Sequence, residues 1–198
     1  MEVVNQSQVS RRALLRNSLI TVAVAAVPAF AQKAASTAPA TSANPQIDDL
    51  KKAFAASHAY TLDMANAMPE EKYQFKPVPL AEIRTFGQQM VHIADGVSRL
   101  YQHFIEKKDV GPPTEAAKET FASKAEVVAK LEEAYKYVED AVAKLTDAAL
   151  DQPTPFFGGK QVPVRQVIRT ILDHSTHHRA QTVVYLRLNA IKPPGYRA

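Results

Sequence analysis

Prolines divide the body of this sequence into four long segments, and no other feature limits its fold as strongly. A proline inside a helix removes a backbone hydrogen bond and clashes with the preceding turn, so each proline cluster marks a helix boundary. Within each segment, apolar residues recur three or four positions apart, the spacing of an amphipathic helix. The predicted helices run from after Pro45 to Met68, from Phe86 to about Lys108, from Lys124 to about Leu145, and from Val164 to about Ala190.

Four long helices joined by polar connections predict an all-α fold, a four-helix bundle. Thr85 is a suitable N-cap for the second helix, because its hydroxyl can accept a hydrogen bond from the first turn. Ser123, followed three residues later by Glu126, predicts a capping box at the start of the third helix. The segment Phe156-Phe157-Gly158-Gly159 predicts a short hairpin, a lid over a site, or a loop anchored by its apolar side chains.

Two histidines lie on the inward face of the fourth predicted helix. A rotation of about 100° per residue places His174 and His178 on the same side as Val167, Ile171 and Tyr185. Histidines four residues apart stand one turn above each other, with Cβ atoms about 5 to 6 Å apart, so their ring nitrogens can converge on one metal ion. The alternative is two core histidines, each hydrogen-bonded to its own buried partner.

The second predicted helix carries His92 away from its apolar face. This residue is about 130° from the centre of that face, in a polar stripe with Asp95, Gly96 and His103. Periodicity alone therefore predicts that His92 faces solvent. A polar cleft between helices would also need such a stripe, and Gly96 would then permit a close approach of the neighbouring helix.

The charge balance and the absence of cysteine exclude several kinds of site. The sequence has 24 lysines and arginines against 20 aspartates and glutamates, and it has no cysteine. This near balance predicts no nucleic-acid-binding surface. Without cysteine the chain has no thiolate ligand and no cysteine nucleophile, and it suits an oxidising compartment.

Residues 1–31 are predicted to be a signal peptide, outside the folded domain. Arg11 and Arg12 stand in a charged start, followed by the uncharged run Ser18 to Phe30 and a small-residue cleavage site. The uncharged run is only about a dozen residues long, too short for a stable membrane span. The pattern resembles the bacterial twin-arginine export signal, which implies a periplasmic or otherwise exported protein; an ordinary secretory signal is the alternative. Residues 32–45, rich in Ala, Ser, Thr and Pro, predict a disordered linker.

Several short motifs follow one another in a set order along residues 46–196. They are His92, the run His174-x-x-x-His178-Arg179-x-Gln181, then Tyr185-Leu186-Arg187, and a closing Pro193-Pro194-Gly195-Tyr196. This order resembles that of the DinB-like family of small helical metalloproteins, and the segment Pro69–Pro77 is similar to the family's first connection. Ala180 stands where the family often has glycine, a change that a helix interior accepts easily.

The resemblance implies an up-down-down-up arrangement of the four helices, a divalent metal ion such as zinc or nickel, and a homodimer. It also implies that His92, His174 and His178 are the metal ligands, against the solvent-facing position that periodicity predicts for His92. Some members of the family are transferases that use a low-molecular-weight thiol, or thiol-dependent isomerases.

A site of three neutral imidazoles leaves a fourth coordination position open, as in catalytic zinc sites. A metal ion held in this way lowers the pKa of a bound water or thiol, so we predict a metal-dependent transferase or hydrolase. The alternative is a non-catalytic metal- or ligand-binding helical protein of the cell envelope, and the small-molecule ligand is unknown in either case.

Three further polar residues have open roles. Gln181 lies about 20° from His174 around the helix, which predicts that it orients a ligand or bound water, or else makes an ordinary hydrogen bond. Arg179 points about 100° away from the ligands, which predicts a salt bridge within the bundle or across a dimer. His58 of the first helix lies near an apolar stripe and is expected to be a core or rim residue.

Overall fold

The structure, a computed structural model, describes residues 45–80, 82–110 and 120–197. The predicted signal peptide and the linker up to residue 44 lie outside the described residues, and Pro45 is already the first residue of a helix. The elements in chain order are α1 Pro45–Ala67, α2 Phe86–Phe104, α3 Lys124–Val142, the short α4 Asp147–Leu150, β1 Pro153–Pro155, β2 Gln161–Pro163 and α5 Val164–Leu188.

Helix α1 packs against α3 and α5, and these two helices also flank α2. Near the middle of α1, His58 Nδ1 lies 3.2 Å from a carboxylate oxygen of Glu139, late in α3. At the end of α1, the carbonyl of Asn66 accepts a hydrogen bond from Lys124, the first residue of α3. Residue numbers therefore rise along α1 as they fall along α3, so these two helices are antiparallel.

The direction of α5 follows from its contacts with α1. Arg165 at its start hydrogen-bonds Gln46 at the start of α1, and Arg179 further along hydrogen-bonds Ser57. Helices α1 and α5 are therefore parallel. Helix α2 is antiparallel to α5, because Gln89 contacts His178 whereas His92, further along α2, contacts His174, nearer the start of α5. The four long helices therefore run up-down-down-up, which confirms the predicted bundle.

The helix starts agree with the capping chemistry of the sequence. The Thr85 hydroxyl accepts a hydrogen bond from the Gln88 N–H, and the Gln88 side chain accepts one from the Thr85 N–H. Ser123 likewise caps α3 through the Glu126 N–H, but the Glu126 carboxylate accepts from the N–H of Ala122 instead of from Ser123 itself. Two caps that fix the first turn explain why the predicted starts of α2 and α3 are correct.

Apolar side chains of all four long helices fill the centre of the bundle. The fully buried core includes Phe54 and Met64 of α1, Phe86 and Ile93 of α2, Leu131 and Tyr135 of α3, and Ile168 and Ile171 of α5.

Among the described residues, none of the helices combines the length and apolar character that a membrane crossing needs.

The segment before α5 forms a short antiparallel hairpin, in which Thr154 of β1 pairs with Val162 of β2. Its turn uses two glycines with positive φ angles, Gly158 at 69° and Gly159 at 73°. The Thr154 hydroxyl donates to the Phe104 carbonyl at the end of α2. Because Phe104 is twelve residues, about 18 Å along a helix, from position 92, the hairpin anchors the far end of the bundle and does not cover the histidines.

Candidate metal centre

The antiparallel packing of α2 and α5 brings three histidines together. Nε2 of His92 lies 3.2 Å from Nε2 of His174. The ring of His178 completes the cluster, with its centroid 4.3 Å from that of His92 and 4.5 Å from that of His174. One nitrogen from each ring can be chosen so that all three lie within 4.8 Å of one another, an arrangement that could hold a metal ion.

The apolar periodicity of α2 predicts the wrong environment for His92. Its side chain is buried, with only 7% of its surface exposed. The prediction of a solvent-facing residue is therefore wrong. It assumes that a helix has one buried side, whereas α2 packs against α3 on one side and α5 on another. The polar stripe of α2 thus lies inside the bundle, where α5 covers it, and the position that the family resemblance implies for His92 is the one observed.

Gly96 on α2 leaves the space that the His174 ring occupies. A Cβ atom built on Gly96 would overlap Cε1 and Nδ1 of the His174 imidazole. Every residue other than glycine carries a Cβ atom, so only glycine lets the ring lie this close to the helix backbone. The sequence predicted that Gly96 would permit a close approach to α2. The structure has this close approach, and the group that lies against Gly96 is the imidazole of His174.

A chain of hydrogen bonds fixes the orientation of His178. Its Nδ1 lies 3.2 Å from the amide oxygen of Gln89, and because an amide oxygen only accepts, Nδ1 carries the proton. The amide nitrogen of Gln89 donates to Gln181, whose own amide nitrogen lies 3.1 Å from Nε2 of His177. Nε2 of His178 therefore keeps its lone pair, the form in which an imidazole binds a metal ion.

The surroundings of His178 also keep its ring neutral. Burial lowers the pKa of His178 to about 3, and electrostatic repulsion from the nearby His92, His174, His177 and Arg84 side chains acts in the same direction. At neutral pH this imidazole is therefore uncharged. A neutral imidazole is a metal ligand, whereas a protonated one is not.

One distance in the cluster, between His92 and His174, matches that expected around a tetrahedral metal ion, while the three donor atoms together lie within 4.8 Å of one another. Two nitrogens bound to one zinc ion at about 2.0 to 2.1 Å are about 3.3 to 3.4 Å apart, close to the 3.2 Å between His92 and His174. Imidazole is a ligand for zinc and nickel alike. The three imidazole donors, the spacing of His92 and His174 and the neutral form of His178 fit a divalent transition metal.

The hydrogen bonds described for Gln181 join it to Gln89 and His177. It reaches His178 through Gln89, a buried side chain that sequence analysis did not single out. A signal for Gln89 was present, because Gln89, His92 and Gly96 are spaced three and four residues apart and so share one face of α2. Gln89 was missed because that face was taken to be exposed.

The other histidines lie outside the cluster. His58 is half-buried, bonds Glu139 and stacks on the ring of Tyr135 at 4.8 Å, as expected of a residue at the rim of the core. His103 packs against Phe104 near the hairpin. His177 is exposed and contacts the cluster only at its edge, through the His178 ring and Gln181.

Arg179 is buried and has a different set of partners from the one predicted. Its guanidinium donates to the carbonyl and hydroxyl of Ser57 and to the hydroxyl of Thr61. It also lies 4.8 Å from the centre of the Tyr60 ring, a cation–π distance. Within the part of the chain that the structure describes, no carboxylate pairs with Arg179, so the predicted salt bridge within the bundle is wrong: hydroxyl, carbonyl and ring groups of α1 take its place.

A cavity of about 350 Å³ opens beside the histidine cluster. Gln89, His178 and Gln181 line it on the side of the cluster. The rest of its lining is formed by Pro77, Val78, Glu82, Ile83, Arg84 and Tyr185. His92 lies at the buried back of the cluster, whereas His174 and His178 are partly exposed. A small molecule in this cavity would therefore meet the cluster at its accessible side.

Known proteins share both the sequence pattern and the fold. A family model described as the DinB superfamily matches residues 53–182. A DinB-like protein from Bacillus cereus ATCC 10987 is 20% identical, with a TM-score of 0.65 over 75% of this chain and 96% of that one. A DinB-like protein from Bacillus subtilis is 18% identical, with a TM-score of 0.59 over 75% and 97%. A conserved protein from Enterococcus faecalis is 15% identical, with a TM-score of 0.59 over 71% and 95%.

No curated protein matches this sequence. At 15 to 20% identity, the solved structures establish the shared fold.

Proposed function

The chain belongs to the DinB superfamily, and we propose that it is a metal-dependent transferase or hydrolase whose ligands are His92, His174 and His178. The observation that carries the proposal is the convergence of three imidazoles from two helices beside an open cavity. Zinc or nickel is the proposed ion, because both accept imidazole ligands. Three protein ligands with an open fourth position are typical of catalytic sites and not of structural ones.

When bound, a divalent ion would lower the pKa of a thiol or water in the fourth position and so supply a nucleophile near neutral pH. The protein's own residues set the conditions for this chemistry. Gln89 holds the proton on Nδ1 of His178, which directs Nε2 toward the cluster. Gln181 in turn holds Gln89, and we assign both glutamines to orienting the ligand set.

The direct test is elemental analysis of the purified protein beside single-residue variants. We expect about one equivalent of zinc or nickel per chain, lost in His92→Ala and in His174→Ala. His58→Ala is the matched control, because His58 lies outside the cluster and bonds Glu139. Full metal content in both cluster variants, or equal loss in the control, would contradict the proposed site.

Turnover separates an enzyme from a protein that only holds a metal. We expect activity on a panel of electrophilic acceptors, with thiol or water as nucleophile, that disappears in His178→Ala while the circular dichroism spectrum is retained. Tight metal binding without turnover on any acceptor would instead support a non-catalytic metal-binding protein.

We also propose export to the periplasm and a homodimer, both from the sequence resemblance. Analytical ultracentrifugation of the mature protein tests the dimer, where a monomer at micromolar concentration would count against it.

A further inference from the structure

Phe157, at the tip of the β1–β2 hairpin, is a large aromatic residue that remains 49% exposed. Its ring centroid lies 4.7 Å from that of Phe104 and 4.9 Å from that of Phe156, so its inner side is held against the end of α2. Gly158 and Gly159 follow with positive φ angles, and neither adds a side chain beside the ring. The tip therefore presents the outer part of a fixed aromatic ring to its surroundings.

Two exposed lysines lie near this ring. The carbonyl of Lys160 accepts a hydrogen bond of 2.8 Å from the Phe156 N–H, which places Lys160 opposite Phe156 across the turn. Lys107, three residues after Phe104, lines a groove that the Phe104 and Phe156 residues also line. In the part of the chain that the structure describes, the ammonium groups of Lys107 and Lys160 have no ion-pair partner. We call Phe157, Lys107 and Lys160 the hairpin-tip surface.

The charged residues around the hairpin-tip surface leave it positive. Lys108 is paired with Glu106 at 2.9 Å, and the exposed Asp109 offsets one further lysine. Three lysines against two acidic residues give this loop and turn a net positive charge. A lone exposed aromatic side chain is ordinary on a protein surface. An aromatic side chain beside unpaired lysines instead suits the boundary between acyl chains and anionic headgroups, where the ring is buried and the ammonium groups stay in water.

The chain also enters the bundle at the hairpin end. Arg165, at the start of α5, hydrogen-bonds Gln46 at the start of α1, and the hairpin directly precedes α5. The predicted signal peptide lies upstream of α1 in the sequence, and a signal peptide directs a chain to a membrane. Residues 32–44 could bridge at most about 45 Å. The hairpin end is therefore the end of the bundle that such a leader would keep within reach of the lipid.

We infer that the hairpin-tip surface rests on an anionic lipid bilayer, where Phe157 enters the headgroup layer and Lys107 and Lys160 contact lipid phosphates. This inference is independent of the proposed metal-dependent function. The cavity beside the histidines is lined by Tyr185, about 30 Å along α5 from the hairpin. With the hairpin on the bilayer, that cavity would stand away from the lipid and open to molecules from the aqueous phase.

The sequence contains no tryptophan, so Phe157→Trp gives the full-length chain a single tryptophan at the tip. Leu188→Trp is the matched control, because Leu188 is also an exposed apolar residue but lies at the other end of α5. Each variant is mixed with vesicles of equimolar phosphatidylcholine and phosphatidylglycerol. We expect a blue shift of the emission and quenching by brominated lipid for Phe157→Trp, and neither for Leu188→Trp.

The contribution of the lysines is measured in the Phe157→Trp protein. Lys107→Gln and Lys160→Gln should each raise the lipid concentration for half-maximal shift by about fivefold, the effect of one lysine near an anionic surface. Lys192→Gln, at an exposed position after α5, should leave that concentration unchanged. Vesicles of phosphatidylcholine alone should bind more weakly, because they carry no net charge.

Both tryptophan variants carry the same leader, so attachment through the leader alone would not explain a response limited to the tip. Three results would overturn the inference: an unshifted emission of Phe157→Trp with vesicles, an equal shift in Leu188→Trp, or a shift that neither lysine variant weakens. A blue shift that grows with protein concentration in the absence of vesicles would also overturn it, since a second copy of the chain would then cover the tip. Circular dichroism checks that each variant is folded.

Discussion

Gly96 on α2 and His174 on α5 are in such close contact that a Cβ atom at position 96 would overlap the imidazole ring. The geometry of the three-histidine cluster therefore depends on the absence of a Cβ atom at position 96. The other two histidines of the cluster, His92 and His178, could not compensate for a displaced His174, because each ligand would supply one of only three bonds from the protein.

Gly96→Ala is expected to push the His174 ring out of the cluster and to lower zinc affinity by about tenfold to a hundredfold, the range for changes that misplace a ligand. Overpacking should also cost about 1 to 3 kcal/mol of folding stability. Competition with a chromophoric chelator measures the affinity. Gly195→Ala is the control, since a Cβ there meets nothing within 4 Å, and unchanged affinity in Gly96→Ala would contradict the role of this contact.

Gln89→Leu is expected to weaken zinc binding by about tenfold to a hundredfold, because it removes the acceptor that holds the proton on Nδ1 of His178. Gln181→Leu should have a smaller effect, transmitted through Gln89. The double variant should resemble Gln89→Leu alone, since both residues act through one chain of hydrogen bonds. Gln102→Leu, at a half-buried position of α2, serves as the control. Additive losses would show that Gln181 acts independently.

The metal-free protein is expected to lose stability as the pH falls from about 6.5 toward 3. Burial holds the pKa of His178 at about 3 in the folded chain, whereas the unfolded chain has an ordinary histidine pKa of about 6.5. Between these values the unfolded state binds the extra proton, so acid favours unfolding. Urea unfolding at pH 7.5 and pH 4.5 measures the change, which should be smaller in His178→Gln; equal pH dependence in both proteins would contradict it.

Arg179→Met is expected to destabilise the fold by about 2 to 4 kcal/mol, because it removes several buried hydrogen bonds to Ser57 and Thr61. Metal content should not change, since Arg179 makes no contact with the cluster among its described hydrogen bonds. Arg187→Met, at an exposed position of α5, should cost less than about 0.5 kcal/mol. Urea unfolding compares the two, and similar losses would argue against a special role for the buried guanidinium.

Export through the twin-arginine route is expected to stop when Arg11 and Arg12 are both replaced by lysine. A reporter fused after residue 40, followed by cell fractionation, measures this. Continued export of the double variant would favour the ordinary secretory signal instead.

The helices and one half of the candidate site could be predicted from sequence. Prolines and capping residues act locally, so the starts of α2, α3 and α5 agree with their predicted positions. The spacing of His174 and His178 is also local, because both residues are on one helix.

The other half of the site depends on which helices become neighbours. The burial of His92 and Gln89 follows from the packing of α5 on the polar side of α2, which periodicity within α2 cannot reveal. Family resemblance was needed for His92, and Gln89 was missed because the face of α2 that it shares with His92 was taken to be exposed. Arg179 shows the same limit, since its partners come from α1, more than a hundred positions away in the chain.

The contact between His92 and His174 joins positions 82 residues apart. An ion shared by these two rings would act as a removable cross-link of the folded chain, closing a loop of about two fifths of the polypeptide. Thermal resistance should then rise with the concentration of free ion, so in a compartment poor in transition metals the supply of that ion would set how long the protein survives.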